Sequence, residues 1–434
     1  MIVQKLLNSR VAKNASWLIA GRIIQMILSF FVGLLTTRYL GPGNYGLINY
    51  AATYTTFFAS LCSLGINSII VKNFIDYPEE EGTTLCTAII LRAISSVASL
   101  IAIMGITFVA DRGEVTTQLV VFLCGVGMLF QIFDTFNYWF QAKLLSKFSA
   151  IATLVAYILV SVYRIVLLIF KKDVAWFALA SSIDYVVIAC FLLIAYQKNN
   201  GPKFKFSWSK GKRLLIESCN FILSSLMVSI YGSTDRFMLK QMTGEESVGY
   251  YAIALTLCNM WVFVLTAIID SISPTIMYAY NENKALYERR NKQLYAIVFY
   301  VSVFVSLCFM LFGRVAILVL YGEAYIGAAT PLSIITWYTA FSYLGVARNA
   351  WIVCEHKQTF LKYLYLGAAI SNVILNAILI PIWGASGAAM ASLITQMSTI
   401  LVFPALVRAL RPNVKLMLDA ILLKDVFCKR SGGK

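Results

Sequence analysis

The chain has 434 residues, of which 60% are hydrophobic and 13% charged, with a formal net charge of +16 and a mean hydropathy of +0.77. Soluble chains carry about 25% charged residues, so a water-soluble globule is excluded, and an aromatic share of 14% without a long polar low-complexity tract excludes a disordered chain or a soluble repeat array. What remains is an all-α polytopic membrane protein, because a lipid-facing backbone must satisfy its own hydrogen bonds.

At roughly 20 residues per crossing, the apolar stretches predict twelve transmembrane helices, at 15–38, 47–71, 85–109, 117–140, 149–170, 174–196, 215–239, 250–279, 294–320, 330–354, 360–382 and 387–407. The first is too long for a signal-peptide core and no small-residue cleavage site follows it, so it is expected to be retained. Lys and Arg in alternate connectors number 25 on the side of the N-terminus and 6 on the other, which predicts that both termini are cytoplasmic. The basic charge is therefore topological. It is spread over seven segments and forms no basic domain, so no nucleic-acid partner is expected.

The longest charged connector, 198–213, separates an N-terminal lobe of six spans (1–197) from a C-terminal lobe of six (214–407), followed by a basic tail at 408–434. It also separates two copies of a weak repeat. Gly41, Gly46 and Ala51 in the GPGNYG region match Gly244, Gly249 and Ala254 in the GEESVG region at a constant offset of 203 residues. Six spans return the chain to its starting side, so the repeat is parallel. Glycine also recurs in tight turns between helices, as GEAYIG at 322–327 illustrates.

Polar residues inside the spans share faces. In span two, Asn49, Thr53, Thr56, Ser60, Ser63 and Asn67 follow steps of three and four; span seven does the same with Glu217, Asn220, Ser224, Tyr231 and Asp235. Span one carries Arg22, Gln25, Ser29 and Gly33, and span eight Asn259, Thr266, Asp270 and Ser273. Such stripes either join helices or line a water-filled cavity, and their charged members favour the cavity. Five arginines, Arg22, Arg92, Arg164, Arg236 and Arg348, lie inside spans, with Asp134, Asp184, Asp235 and Asp270 as available partners. Even with every Asp paired, one arginine stays in excess, a bias suited to an anion and especially to phosphate. Ion pairing within the protein, or snorkelling from span ends, is the competing role for each. Arg22 and Arg92 head the set, because Arg22 shares its face with Gln25 and Ser29. Nine cysteines without a CxxC pair read as packing residues, the single His356 excludes histidine-based zinc motifs and Ser-His triads, and no Walker A sequence is present.

Four segments in order, RYLGPGNYGLINYA (38–51), DRFMLKQMTGEESVGYYAIA (235–254), YGEAYIGAATPLSII (321–335) and NVILNAILIPIWGASGAAMASLIT (372–395), resemble the polysaccharide flippases of bacterial O-antigen and capsule assembly. These belong to the multidrug, oligosaccharide-lipid and polysaccharide exporter superfamily. The resemblance implies two six-helix lobes in a V around a central cavity, and a multi-pass protein of the bacterial inner membrane. It further implies that an oligosaccharide repeat unit on undecaprenyl pyrophosphate is flipped from the cytoplasmic to the periplasmic leaflet, with a polymerase and assembly proteins as partners beside membrane lipids. Lipid II flippases of the superfamily hold sodium at positions matching Asp235, Asn372, Asn376 and Thr395; Asn376 is neutral where that pattern has a carboxylate. The expected cofactor is none beyond a coupling ion, Na+ or H+. Catalytic residues are not expected. Two other classes remain open: an ion-coupled multidrug exporter, which calls for carboxylates in an apolar pocket, and a membrane polymerase or ligase, which normally carries a large periplasmic loop.

Overall fold

The computed structural model describes residues 10–424; the side chains of residues 10–24, 27, 68, 220, 221, 223, 224, 227, 228 and 231 lie outside the described set. Every regular element among the described residues is helical. Packing divides the chain into two units, Met1–Ser233 and Thr234–Lys434.

The first unit holds α1 (Arg10–Ser63), α2 (Asn67–Asp76), α3 (Glu81–Ala110), α4 (Val115–Val126), α5 (Thr135–Ala142), α6 (Lys147–Ile169), α7 (Val174–Lys198) and the start of α8 (Trp208–Thr243). Spans one and two follow each other in α1 without a loop: Gly41 breaks the helix at φ 70°, ψ 172°, a region closed to side chains, and Pro42 opens the next segment, where its missing N–H is no loss. Gly244 and Gly322 adopt nearly the same geometry (φ 90°, ψ 177° and φ 89°, ψ 177°), so the matched glycines of the repeat mark a recurring turn. Span four is interrupted between α4 and α5 by two 3₁₀ turns, Gly127–Leu129 and Gln131–Asp134. The core of this unit gathers Phe74, Leu85, Phe136, Trp139, Phe140 and Tyr196.

The second unit continues with α9 (Glu245–Asn259), α10 (Val262–Glu282), α11 (Lys284–Tyr321), α12 (Ala329–Cys354), α13 (Leu361–Met397), α14 (Phe403–Leu406) and α15 (Arg411–Ile421). Span eight is thus split at Met260–Trp261, and α13 contains spans eleven and twelve, kinked at Gly384 (φ 52°, ψ −129°). Within 408–434, α15 is a packed helix: Val414, Leu416, Met417 and Ala420 are buried, and Lys292 holds Asp419 at 2.8 Å.

Seven helical stretches among the described residues are long and apolar enough to cross a membrane: 78–110, 115–142, 147–169, 174–198, 262–282, 284–321 and 358–406. Predicted spans one, two, seven and ten lie in α1, α8 and α12, outside that set; α12 is diluted by Thr336, Thr339 and Arg348. Large apolar side chains such as Ile101, Phe108, Phe304, Leu311 and Ile382 stand exposed on these helices, as lipid-facing surfaces require. The chain is a multi-pass membrane protein.

Candidate functional site

In the second unit, Asp235 on α8 is 9% exposed and its carboxylate accepts three hydrogen bonds, all at 2.6 Å. Asn376 Nδ2 donates to Oδ1, while Tyr251 OH from α9 and Ser392 Oγ both donate to Oδ2. Asn376 Nδ2 also reaches Asn372 Oδ1 at 3.1 Å. Asn376 and Ser392 are 16 residues apart, about 24 Å along a straight helix, yet meet one carboxylate. The reversal at Gly384 makes this contact. A Cβ on Gly387 would stand 2.2 Å from the Leu379 carbonyl oxygen, so the two arms of α13 approach at backbone distance only because glycine occupies the position.

Asp235 has no Lys or Arg partner among the described residues, and its donors are neutral. Among the described residues the arrangement is therefore a carboxylate held by neutral donors and not an ion pair. The buried Asn376 Oδ1 and Thr395 Oγ1 have no hydrogen-bond partner in the structure. One carboxylate, two amide oxygens and hydroxyls form an all-oxygen donor set with a single negative charge. That chemistry suits a monovalent cation or a proton; calcium sites gather more carboxylates. Of the four residues matched through the resemblance, Asp235, Asn372 and Asn376 are joined by hydrogen bonds, and Thr395 is buried one turn beyond Ser392. Tyr251 and Ser392 were not foreseen. A buried tyrosine needs a partner for its hydroxyl, and Ser392 lies three residues before Thr395 on the same helix face; those were the available signals.

In the first unit, Arg92 on α3 is 3% exposed. Its Nη1 donates to Thr135 Oγ1 at 3.1 Å, and its Nη2 to Asn67 Oδ1 at 2.5 Å and the Ser63 carbonyl at 3.4 Å. The guanidinium lies 5.4 Å from the ring centre of Tyr138. Thus two predicted residues, Arg92 and Asn67, are brought together, and among the described residues no carboxylate touches the guanidinium, Asp134 acting on it only through space. None of Arg92, Arg164, Arg236 and Arg348 forms an ion pair within 4.0 Å among the described residues, so of the competing pairing role with Asp134, Asp184, Asp235 and Asp270 what remains is through-space attraction, between Arg92 and Asp134 and between Arg164 and Asp184. Asp134 instead accepts from Asn137 at 3.1 Å. Arg348 is buried with Nε and Nη1 unpartnered, whereas Arg164 and Arg236 are half-buried and retain surface for a ligand.

Other predicted residues are placed differently. The stripe of span two is not one continuous face: α1 ends at Ser63, Leu64 and Gly65 turn with φ 52° and 57°, and Asn67 opens α2. Thr53, Ser60 and Ser63 hydroxyls donate to their own backbone three or four residues back, as does the Asn49 amide, so they are satisfied locally. Glu217 is exposed and accepts from Arg213 Nε at 2.8 Å one turn earlier, an ion pair that removes it from the inward stripe. Asn259 is exposed at the break between α9 and α10; Asp270 is exposed on α10, where lipid contact would be unfavourable and water must reach it. Gln25 is half-buried, and the side chains of Arg22, Asn220, Ser224 and Tyr231 lie outside the described residues.

The profile of a family described as polysaccharide biosynthesis protein matches residues 11–279. The capsular polysaccharide biosynthesis protein CapF of Staphylococcus aureus is 21% identical over 409 residues, covering 89% of this chain and 96% of its own. Among solved structures, lipid II flippase MurJ in an inward closed conformation aligns with a TM-score of 0.71 at 13% identity, over 94% of this chain and 91% of its own. An inward-facing multidrug resistance MATE family transporter of the MOP superfamily aligns with a TM-score of 0.67 at 16% identity, over 95% and 100%. The fold is that of these transporters.

Proposed function

The chain belongs to the polysaccharide biosynthesis protein family, and from that premise we propose that it flips an oligosaccharide repeat unit linked to undecaprenyl pyrophosphate from the cytoplasmic to the periplasmic leaflet of the bacterial inner membrane, with both termini cytoplasmic. The observation that carries this reading is the set of arginines inside the membrane region with no carboxylate partner among the described residues. Guanidinium groups with no carboxylate in direct contact can take up a pyrophosphate through charge-assisted hydrogen bonds, and they disfavour the cationic compounds that a drug exporter would carry. Arg164 in the first unit and Arg236 in the second each keep surface on which an anion could bind, whereas Arg92 is enclosed by Asn67 and Thr135.

Asp235, with Asn372, Asn376, Thr395 and the added Tyr251 and Ser392, supports a coupling role for Na+ or H+, since its charge is met by neutral donors alone. In cells whose surface polysaccharide depends on this chain, Arg236→Gln and Arg164→Gln should each lower export by on the order of tenfold, the worth of one charge-assisted contact. Lys at either position should restore part of it, with membrane protein levels unchanged. Normal export from the Arg164→Gln, Arg236→Gln double variant would reject both arginines as anion contacts.

A further inference from the structure

Between α7 and α8, residues 201–207 lie outside any helix and are strapped across the first unit. The strap is held at both edges. A Cβ on Gly82 would stand 2.1 Å from the Lys203 carbonyl oxygen, the Ser207 N–H donates to Thr87 Oγ1 at 3.2 Å, and the Tyr196 hydroxyl donates to the Pro202 carbonyl. Gly82 is in the first turn of α3 and Tyr196 in the last turn of α7, both helices of crossing length. The strap therefore sits at the level where these helices leave the bilayer.

Its sequence, KFKFSWSKGKR over 203–213, interleaves lysine with aromatic residues. Phe204 stacks on Tyr196 with ring centres 5.7 Å apart and planes 2° apart, yet remains 53% exposed; Phe206 and Trp208 are 48% and 65% exposed. Aromatic rings left half out of the protein at a membrane rim belong to the interface between headgroups and acyl chains. The charges divide into two sets. Lys210 and Arg213 line a cavity of about 340 Å³ and are engaged with Glu80 and Glu217, so that cavity carries no free positive charge. Lys203, Lys205 and Lys212 are exposed and have no carboxylate partner among the described residues.

We propose that residues 203–212 form an interfacial anchor that inserts Phe206 and Trp208 into the bilayer surface and binds the headgroups of anionic phospholipids through Lys203, Lys205 and Lys212. The reading is independent of which substrate the protein carries. A lysine next to an anionic membrane surface favours it by about fivefold, so three act together strongly, and the attraction weakens with added salt.

The test uses the full chain in phosphatidylcholine vesicles containing, at equal mole fraction, either brominated phosphatidylglycerol or brominated phosphatidylcholine. Trp208 fluorescence is isolated as the difference between wild type and Trp208→Phe. Quenching of Trp208 by the brominated phosphatidylglycerol should exceed that by the brominated phosphatidylcholine. The Lys203→Gln, Lys205→Gln, Lys212→Gln triple variant, which alters exposed side chains only, should abolish the excess while keeping the quenching common to both. Equal quenching of the wild type by the two lipids overturns the headgroup assignment. A Trp208 unquenched by either, as for a strap facing water or covered by a protein partner, overturns the anchor itself.

Discussion

Asp235 depends on three neutral donors, and each can be removed singly. Tyr251→Phe leaves Ser392 and Asn376 on the carboxylate, and Ser392→Ala leaves Tyr251 and Asn376; either takes one hydrogen bond from a buried charge and should lower stability by about 1–3 kcal/mol. Thermal unfolding of the purified protein reads this directly. Asp235→Asn keeps the size of the side chain but removes its charge and one acceptor oxygen, so under the proposed coupling transport in vesicles should lose its response to a sodium or proton gradient. A variant that responds as wild type does would make the charge structural. These partners were only partly readable in the sequence. Asp235 came forward through periodicity and, with Asn372 and Asn376, through the resemblance; the signals for Tyr251 and Ser392 were local to their own helices and could not join them to Asp235, because the contact with Ser392 spans 157 residues. Glu217 shows the opposite error: periodicity placed it on the face of Asp235, while Arg213 one turn away captured it on the exposed surface.

At the scale of elements, glycines decide where helices reverse and what may lie across them. Gly387→Ala would press a Cβ against the Leu379 carbonyl at 2.2 Å, where backbone rather than a movable side chain must give. It should destabilise the protein by about 1–3 kcal/mol or more, and weaken the gradient response in the same way as Asp235→Asn, because the arm carrying Ser392 and Thr395 moves. Gly33→Ala, with nothing within 4 Å of the added Cβ, serves as the control and should be neutral or stabilising in its helix. Gly82→Ala acts on the strap: with Cβ 2.1 Å from the Lys203 carbonyl the segment is displaced, and trypsin should cleave after Lys203 and Lys205 faster than in wild type. Equal cleavage rates would mean that the strap is not held by this contact. Hydropathy located the apolar stretches because lipid imposes it, but it could not distinguish a loop between spans one and two from a bare turn at Gly41, nor foresee that Leu64 and Gly65 would divide the polar stripe. Both depend on single backbone conformations that composition does not record.

The whole molecule combines a transporter fold, membership in a polysaccharide family and arginines that touch no carboxylate among the described residues. Composition alone was enough for the membrane class, whereas the arginines inside the spans emerged only once the spans were placed, five of them against four Asp and Glu217. It did not show that Asp134 turns to Asn137 and leaves Arg92 with Asn67 and Thr135, since which of two polar neighbours is reached depends on the 3₁₀ turns between α4 and α5. The measurement that bears most directly on the account is flipping in reconstituted vesicles, using a fluorescent oligosaccharide on undecaprenyl pyrophosphate and a quencher that cannot cross the bilayer. Vesicles with the wild-type chain should transfer the labelled lipid between leaflets faster than protein-free vesicles and faster than the same glycan on a neutral polyprenyl carrier, and the Arg164→Gln, Arg236→Gln variant should lose that preference. Transfer at the protein-free rate, or equal transfer of the charged and neutral carriers, would contradict it.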